Sequence, residues 1–192
     1  LKRGDHETAR FHILEKSVDE VSKFVYDLLT LARLEANLDD FKKEPVDFSA
    51  LLEELAEYFT VLADARGITF TTAIEPRLFV DGKKSSLEEL VVNLMSNAIK
   101  YSEGSGEKKI TLSVKKTGET IELSVQDSGI GISEHDLPHI FKRFYRANNS
   151  KNKSAKGAGL GLAIAQKIVE RHGGTIEAKG NEPAGVLHDE LN

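Results

Sequence analysis

The sequence contains no cysteine, and no apolar run in it approaches the length of a membrane-spanning helix. Without cysteine the chain forms neither disulfides nor thiolate-ligated zinc sites, which is compatible with a reducing compartment. A spanning helix needs about 20 consecutive apolar residues, and no signal peptide opens the chain. The sequence therefore predicts no membrane contact by this chain and a cytoplasmic location. A parent protein anchored in a membrane is compatible with both expectations.

The chain also lacks an excess of positive charge, because 26 Lys and Arg residues face 31 Asp and Glu residues. The formal net charge of −5 argues against a nucleic-acid surface, since phosphate backbones are bound mainly by Lys and Arg. We therefore expect no nucleic-acid partner. Hydrophobic residues make up 40% of the 192 positions, which is enough for one packed domain or a domain with an appendage.

The first part of the chain predicts one long helix over residues 8–38. Apolar residues recur there at alternating steps of three and four, the spacing of a heptad seam: Phe11, Leu14, Val18, Val21, Val25, Leu28 and Ala32. A second apolar face comprises Phe24, Leu31, Leu34 and Leu38. Such a helix must pack on another element, and we expect a helical-bundle homodimer. The alternative is a helix that only caps its own domain.

The remaining patterns predict an α+β fold. Residues 37–45 have the composition of a linker, which divides the chain into residues 1–44 and residues 45–192. Ser49 is expected to cap a helix that ends near Gly67, and further helices are predicted over residues 86–101 and 159–172. Alternating strands are predicted over residues 68–74, 110–116, 120–126 and 175–179, with a hairpin turn at residues 116–119. Mixed helices and strands of this kind favour a two-layer sandwich.

Polar residues share one face of the predicted helix over residues 86–101. Asn93 and Asn97 lie four residues apart, Lys100 falls on the same side, and Tyr101 is adjacent. Amide oxygens suit a hard cation such as Mg²⁺, which usually retains waters and phosphate oxygens as further ligands. Lys100 can neutralise a phosphate. A solvated polar face is the alternative for this segment taken alone.

Two glycine-containing segments add a candidate nucleotide site. Residues 127–131 read Asp-Ser-Gly-Ile-Gly after a predicted strand, where a carboxylate can accept a hydrogen bond from an exocyclic amine, although a simple turn is the alternative. Gly129 and Gly131 allow close approach of the backbone and unusual dihedral angles. Residues 157–161 read Gly-Ala-Gly-Leu-Gly and open a helix, whose N-terminus attracts phosphate. The spacing fits neither a P-loop nor a dinucleotide-binding fingerprint, and motifs of eukaryotic-type protein kinases are absent.

These segments, in this order, resemble the boxes of the histidine-kinase ATP-binding domain: the N box at residues 93–97, the G1 box at 127–131 and the G2 box at 157–161. Residues 141–146, Phe-Lys-Arg-Phe-Tyr-Arg, resemble the F box. The resemblance implies a Bergerat-type sandwich, with a mixed sheet packed on helices, that binds ATP and Mg²⁺. The implied nucleotide contacts are Asn93, Asn97, Lys100, Tyr101, Asp127, Gly129, Gly131, Ile132, Phe141, Gly157, Gly159, Leu160, Gly161 and Leu162.

The resemblance also implies individual roles. Asn97 binds Mg²⁺, Asp127 reads the adenine amino group, and Arg143 or Arg146 contacts the γ-phosphate. The basic segment 141–157 resembles the ATP lid, with Phe141 and Phe144 packing at its hinge, and the alternative for Lys151 and Lys153 is a solvated loop. Glu89 and Lys100 complete the implied catalytic set, with Glu89 polarising the attacking histidine. Ser86 and Glu89 also fit a capping box, which would tie Glu89 to the helix N-terminus.

Residues 26–35 resemble the second helix of the family's dimerisation hairpin. The implied reaction transfers the γ-phosphate of ATP to a histidine of that hairpin, and then to an aspartate of a response regulator. His6 lacks the proline setting of the family's acceptor and is expected at the surface, like His12. We therefore expect the chain to lack its own acceptor and to be incompletely represented at its N-terminus.

Two further positions depart from the family pattern. Lys83 stands where Asp usually precedes the helix, which is expected to weaken its cap, and residues 184–187 match the last strand poorly. The alternative function is a nucleotide-binding interaction module without phosphotransfer. A third reading is another member of the wider ATPase superfamily, such as an anti-sigma serine kinase or a chaperone-type ATPase. The heptad helix and the F-box segment favour the histidine kinase over this third reading.

Overall fold

Four α-helices and seven strands follow one another in the part of the chain that the structure describes. This computed structural model describes residues 2–36, 41–102, 106–147, 157–180 and 185–191, and gives only the backbone of residues 2–9, 12, 13 and 185–191. The helices are α1 Lys2–Ala36, α2 Phe48–Asp64, α3 Lys84–Ser102 and α4 Gly161–His172. The strands are β1 Glu44–Asp47, β2 Thr69–Ile74, β3 Phe79–Gly82, β4 Lys109–Thr117, β5 Thr120–Asp127, β6 Thr175–Lys179 and β7 Gly185–Leu191.

Five of the strands form one mixed sheet in the order β2-β4-β5-β7-β6. The β2–β4 pair is parallel, and the other neighbours are antiparallel. Thr117 lies opposite Thr120, so Gly118 and Glu119 form a two-residue hairpin turn, as predicted. β1 and β3 form a separate antiparallel pair with Val46 opposite Val80.

Helices α2, α3 and α4 supply the second layer and share one hydrophobic core with the sheet. Alternate residues of β4 and β5 point into this core, while α2, α3 and α4 contribute one apolar stripe each. Its largest fully buried side chains include Phe48, Phe59, Leu87, Leu94, Ile110, Leu112 and Leu123. The predicted α+β class with a sheet packed on helices is confirmed.

Helix α1 is buried at one end and exposed along most of its length. Leu31 and Leu34 join the core of the sandwich, and α1 packs against α4. The heptad residues nearer the N-terminus stay exposed: Phe11, Leu14, Val18, Val21, Val25 and Leu28. No helix of the described residues is both long enough and apolar enough to cross a membrane. The side chains of His6 and His12, expected at the surface, lie outside the described residues.

Four local predictions differ from the structure. Asp47, not Ser49, caps α2 by accepting the Ala50 N–H at 3.0 Å, because the Ser49 hydroxyl bonds Glu75 O and Leu78 N instead. β1 and β3 are missed, since strands this short show no readable alternation, and β1 begins within the expected linker. α3 begins at Lys84, so Ser86 lies inside the helix and the capping box is wrong. β7 forms although its sequence matches the family pattern poorly.

Candidate nucleotide-binding site

Asp127 lies at the end of β5, where the chain turns towards α3. Its Oδ1 accepts the Gly129 N–H at 2.8 Å, which fixes the orientation of the carboxylate. Burial raises the pKa of Asp127, and the hydrogen bond from Gly129 partly opposes this shift. A Cβ at Gly129 would lie 2.6 Å from Asp127 Oδ1 and 2.6 Å from Tyr101 O. Only glycine therefore allows the turn to lie against the end of α3.

Ser128 holds this turn to the first residues of β4. Its hydroxyl donates to Glu107 O and accepts the Lys109 N–H at 2.8 Å, while its own N–H donates to Lys109 O at 2.9 Å. Ser128 was not predicted as a site residue. A hydroxyl residue directly after a strand-end carboxylate was the available signal.

The polar face of α3 meets the glycine segment that opens α4. Asn93 is buried, and its Oδ1 would lie 3.1 Å from a Cβ at Gly161. Lys100 Nζ would lie 3.1 Å from a Cβ at Gly157. These contacts bring an amide oxygen and an ammonium group to the two ends of the segment predicted to hold phosphate.

Further residues of the predicted nucleotide-contact set lie near the place where α3 meets residues 157–161. Lys100 Nζ lies 3.4 Å from Tyr101 Oη and 4.8 Å from the ring centroid, while Asn97 is half-buried one turn along α3 from Asn93. Leu160 precedes α4 and is buried. Because its side chain has no polar atom, it cannot cap the helix, and the first-turn N–H groups have no partner within α4. Such groups and the helix dipole favour an anion.

The F-box segment is fastened to the same glycine segment. The Phe144 N–H donates to Gly159 O at 2.9 Å, and Gly159 has φ +72° with Tyr145 O only 2.6 Å from where a Cβ would be. Phe141 is half-buried. The prediction that the Phe144 ring packs at the hinge is wrong, because its φ of +60° directs the N–H to Gly159 and leaves the ring 56% exposed.

A second contact ties the F-box segment to the loop after β5. The Tyr145 hydroxyl donates to Asp136 Oδ1 at 2.6 Å, and the Ser133 hydroxyl donates to Asp136 Oδ2 at 2.7 Å. The Tyr145 hydrogen bond, followed by that of Ser133, lowers the pKa of Asp136. Ile132 approaches the end of β6, where a Cβ at Gly180 would lie 2.7 Å from Ile132 O. Neither Asp136 nor Ser133 was predicted as a site residue.

The two arginines of the F-box segment have different surroundings. The Arg143 guanidinium donates to Glu35 at the C-terminal end of α1. Arg146 is exposed. The contact of either arginine with a γ-phosphate stays a prediction, and Lys151, Lys153 and Lys156 lie outside the described residues.

Glu89 lies on the side of α3 that faces α1. Burial is the main cause of its raised pKa, and the charge of Asp27 adds to it, while Lys23 acts in the opposite direction. Asp27 is itself buried and accepts a hydrogen bond from Lys23 Nζ at 3.1 Å. The carboxyl of Glu89 is therefore held close to a charged pair of α1.

The donor set fits ATP with Mg²⁺ better than a metal bound by protein groups alone. In the described part of the chain, no group of three or more His, Asp or Glu side chains could hold a metal ion. Asparagine oxygens beside a phosphate-binding helix end are a setting in which Mg²⁺ takes most of its ligands from phosphate and water. Asp127 lies at the opposite end of α3 from Glu89, and its contact with a base amine stays a prediction.

Comparison with known proteins agrees with this geometry. Residues 82–187 match the family described as Histidine kinase-, DNA gyrase B-, and HSP90-like ATPase. The match covers more than half of the chain, which therefore belongs to this family. It contains α3, the turn after β5, α4 and part of β7.

The individual relatives that the chain resembles are sensor histidine kinases. The chain is 36% identical over 177 residues to the sensor histidine kinase RppB of Synechocystis, covering 92% of this chain and 38% of that protein. It is 34% identical over 173 residues to the histidine-protein kinase BaeS of Escherichia coli, covering 90% of this chain and 37% of that protein. The chain thus spans less than half the length of these relatives.

Solved structures share the fold over nearly the whole chain. The histidine kinase AdeS of Acinetobacter baumannii is similar with a TM-score of 0.77 and 25% identity, over 95% of this chain and 83% of that one. Full-length ShkA in complex with AMPPNP is similar with a TM-score of 0.80 and 26% identity, over 97% of this chain and 38% of that one.

Proposed function

We propose that this chain is the ATP-binding catalytic core of a sensor histidine kinase. The observation that carries the proposal is the meeting of Asn93 and Lys100 of α3 with Gly161 and Gly157 at the start of α4. Asp127 lies beyond the C-terminal end of α3, where the turn at Gly129 packs against Tyr101. This arrangement provides separate places for a base, a metal ion and phosphates along one groove. Residues 45–192 form the nucleotide-binding part, and residues 1–44 form the dimerisation helix and its linker.

The base end of the site selects adenine. Asp127 accepts a hydrogen bond from the exocyclic amine, while Gly129, Gly131, Ile132 and Tyr101 form the surrounding walls. Guanine has a carbonyl at that position, and an acceptor facing a carboxylate leaves both groups without a proton between them. The site therefore binds ATP in preference to GTP.

The phosphate end combines amide, ammonium and backbone groups. Asn97, beside Asn93, contributes an oxygen ligand to Mg²⁺, which supplies charge neutralisation on the phosphate oxygens. Lys100 neutralises further charge, and the N–H groups of Gly161 and Leu162 bind phosphate at the start of α4. Gly157, Gly159 and Leu160 complete this wall.

The reaction is a phosphoryl transfer that depends on positioning and charge. An imidazole nitrogen forms the bond to the γ-phosphorus, and the bond to the bridging oxygen breaks, so that ADP leaves with the electron pair. Glu89 accepts the imidazole proton, and its raised pKa makes it a better base than an ordinary glutamate. Arg143 or Arg146 stabilises the transferring group, and an aspartate of a response regulator receives it in a second step.

The chain acts as a homodimer through α1. The exposed heptad residues of this helix form an apolar stripe that water solvates poorly. A second copy with the same stripe covers it in the geometry of a helical bundle. Leu31 and Leu34, on the second apolar face of α1, pack against the catalytic part. The heptad stripe is therefore not covered by the chain's own catalytic part and can contact a second copy.

The test uses a form of the chain extended by the first hairpin helix of a sensor kinase relative, with its acceptor histidine. We expect acid-labile, alkali-stable label from γ-labelled Mg-ATP. The label should be lost in Asn97→Ala and retained in Ser96→Ala, which alters an exposed neighbour on α3. Nucleotide binding without any label would instead favour the interaction module, for which the engagement of Arg143 by Glu35 is the supporting observation.

A further inference from the structure

His172 is a fully buried histidine at the end of α4 that the nucleotide site does not use. The residue is 1% exposed, with Nδ1 2.8 Å from Ile168 O and Nε2 3.3 Å from Lys83 N. A carbonyl oxygen only accepts, so Nδ1 carries the hydrogen. A backbone N–H only donates, so Nε2 presents its lone pair. Both contacts are satisfied only by the neutral imidazole.

His172 also contacts the segment that joins α1 to the catalytic part. The Phe41 ring packs edge-on against the His172 ring with centroids 4.9 Å apart. Arg171 covers the Phe41 ring at 4.3 Å, and Lys43 Nζ donates to His172 O at 3.4 Å. Residues 41–43, the first described after α1, are therefore fastened to the end of α4.

His172 also supports the beginning of α3. Lys83 directly precedes that helix, and its ammonium side chain has no acceptor with which to cap it. The imidazole of His172 accepts the Lys83 N–H from across the fold and so replaces a local cap. The contact is tight, because a Cβ at Gly82 would lie 2.5 Å from the ring.

We propose that His172 is a positioning residue that couples the linker at residues 41–43 to the first turn of α3. Since Glu89 lies on that helix and faces α1, the coupling sets the approach of Glu89 to the dimerisation helix. This last step rests on the proposed kinase function, whereas the coupling itself does not.

The coupling depends on the protonation state of the imidazole. A proton at Nε2 removes the lone pair that binds the Lys83 N–H. Burial lowers the pKa of His172, the charges of Lys43 on the linker and Arg171 on α4 lower it further, and Ile168 O opposes them. The β3 side contributes Gly82 and the Lys83 backbone. Acidification through this lowered pKa therefore releases the first turn of α3, and the charged imidazole then repels Lys43 of the linker.

Because the sequence contains no cysteine, spin labels can be attached to single introduced cysteines without removing native ones. Spin labels at Lys16→Cys on α1 and Glu57→Cys on α2, both exposed, report the distance distribution between the helix and the catalytic part. Hydrogen exchange reports the protection of the Lys83 amide. The variants are His172→Phe, which keeps an aromatic ring but has no acceptor, and His172→Gln, which keeps a neutral acceptor. His135→Phe, with a side chain 86% exposed, is the matched control.

We expect His172→Phe to reduce Lys83 protection about tenfold and to broaden the distance distribution, with no further change on acidification. The parent chain and His135→Phe should broaden only at low pH, and His172→Gln should retain protection at every pH. Unchanged protection and distances in His172→Phe would overturn the proposal. If that variant does not fold, Gly82→Ala displaces the ring instead, and unaltered Lys83 protection there overturns it equally.

Binding of Mg-ATP by the parent chain is measured in the same samples. Failure to bind would count against the proposed function alone, because neither the label distances nor the Lys83 protection requires nucleotide.

Discussion

At the scale of single residues, the burial of the Asp127 carboxylate has a cost in folding stability. Its carboxylate is half-buried and accepts the Gly129 N–H, and burial raises its pKa above the usual 3.8. A carboxyl whose pKa is higher in the folded protein contributes stability below its unfolded pKa. That contribution is lost as the pH rises through the folded value. The ionised side chain therefore destabilises the ligand-free protein at neutral pH.

Asp127→Asn should accordingly unfold at a urea concentration equal to or higher than the parent at about pH 7, where the parent carboxyl is ionised. The amide oxygen still accepts the Gly129 N–H, and no charge is buried. The advantage should shrink as the pH falls below 3.8, where the parent carboxyl becomes protonated in both the folded and the unfolded state. A variant less stable than the parent at neutral pH would contradict this account of Asp127.

Gly159 and Gly118 provide a matched pair for the role of the F-box segment. Both have left-handed φ angles, +72° and +65°, but only at Gly159 would a Cβ meet the backbone of Phe144 and Tyr145. We expect Gly118→Ala to cost about 1 kcal/mol of unfolding free energy and to leave Mg-ATP affinity unchanged. Gly159→Ala should lower Mg-ATP affinity at least about tenfold. Calorimetry on both variants checks this, and equal affinities would remove Gly159 from the phosphate wall.

At the scale of elements, the docked end of α1 is part of the core of the sandwich. Leu34 is 5% exposed and Leu14 is 61% exposed on the same helix. Leu34→Ala should lower the free energy of unfolding by about 3 kcal/mol, because it leaves a cavity between α1 and the catalytic part. Leu29→Ala, which alters a 51% exposed residue of α1 outside the heptad stripe, should change it by less than about 0.5 kcal/mol. Urea unfolding followed by circular dichroism distinguishes them, and similar losses would mean that α1 does not dock.

Local periodicity and glycine chemistry made the larger elements predictable. The heptad spacing predicts α1, alternation predicts β4 and β5, and the turn at Gly118 is recognisable from the residues around it. Contacts between distant segments were not predictable. Asp47 caps α2 because Ser49 is engaged by Glu75 and Leu78, and such competition cannot be read from residues 47–49 alone.

In the candidate site too, the contiguous motifs were predictable from the sequence, and the contacts between distant segments were not. The residues of the N, G1 and G2 boxes were identified from the sequence because each box is a short contiguous segment. The engagement of Arg143 by Glu35 joins positions 108 residues apart. The Tyr145–Asp136 bond and the His172 contacts likewise depend on how the elements pack.

At the scale of the whole molecule, the exposed stripe of α1 defines the expected dimer. Val18 and Val61 are similarly exposed, at 63% and 68%, but only Val18 lies on the heptad stripe. Val18→Glu should weaken the dimer at least about a hundredfold, since each copy would bury an unpaired charge. Val61→Glu should have no effect. Sedimentation equilibrium measures both, and a dimer that tolerates Val18→Glu would place the interface elsewhere.

The central claim is that this chain binds Mg-ATP through the groove between Asp127 and the start of α4. The most direct test is calorimetric titration of the chain with Mg-ATP and with Mg-GTP, repeated on Asp127→Asn and on Asp81→Asn, which alters an exposed carboxylate of β3. We predict binding of ATP and not GTP by the parent, unchanged in Asp81→Asn and weakened at least about tenfold in Asp127→Asn. Equal binding of both nucleotides, or ATP binding that survives Asp127→Asn intact, would contradict the assignment of the site.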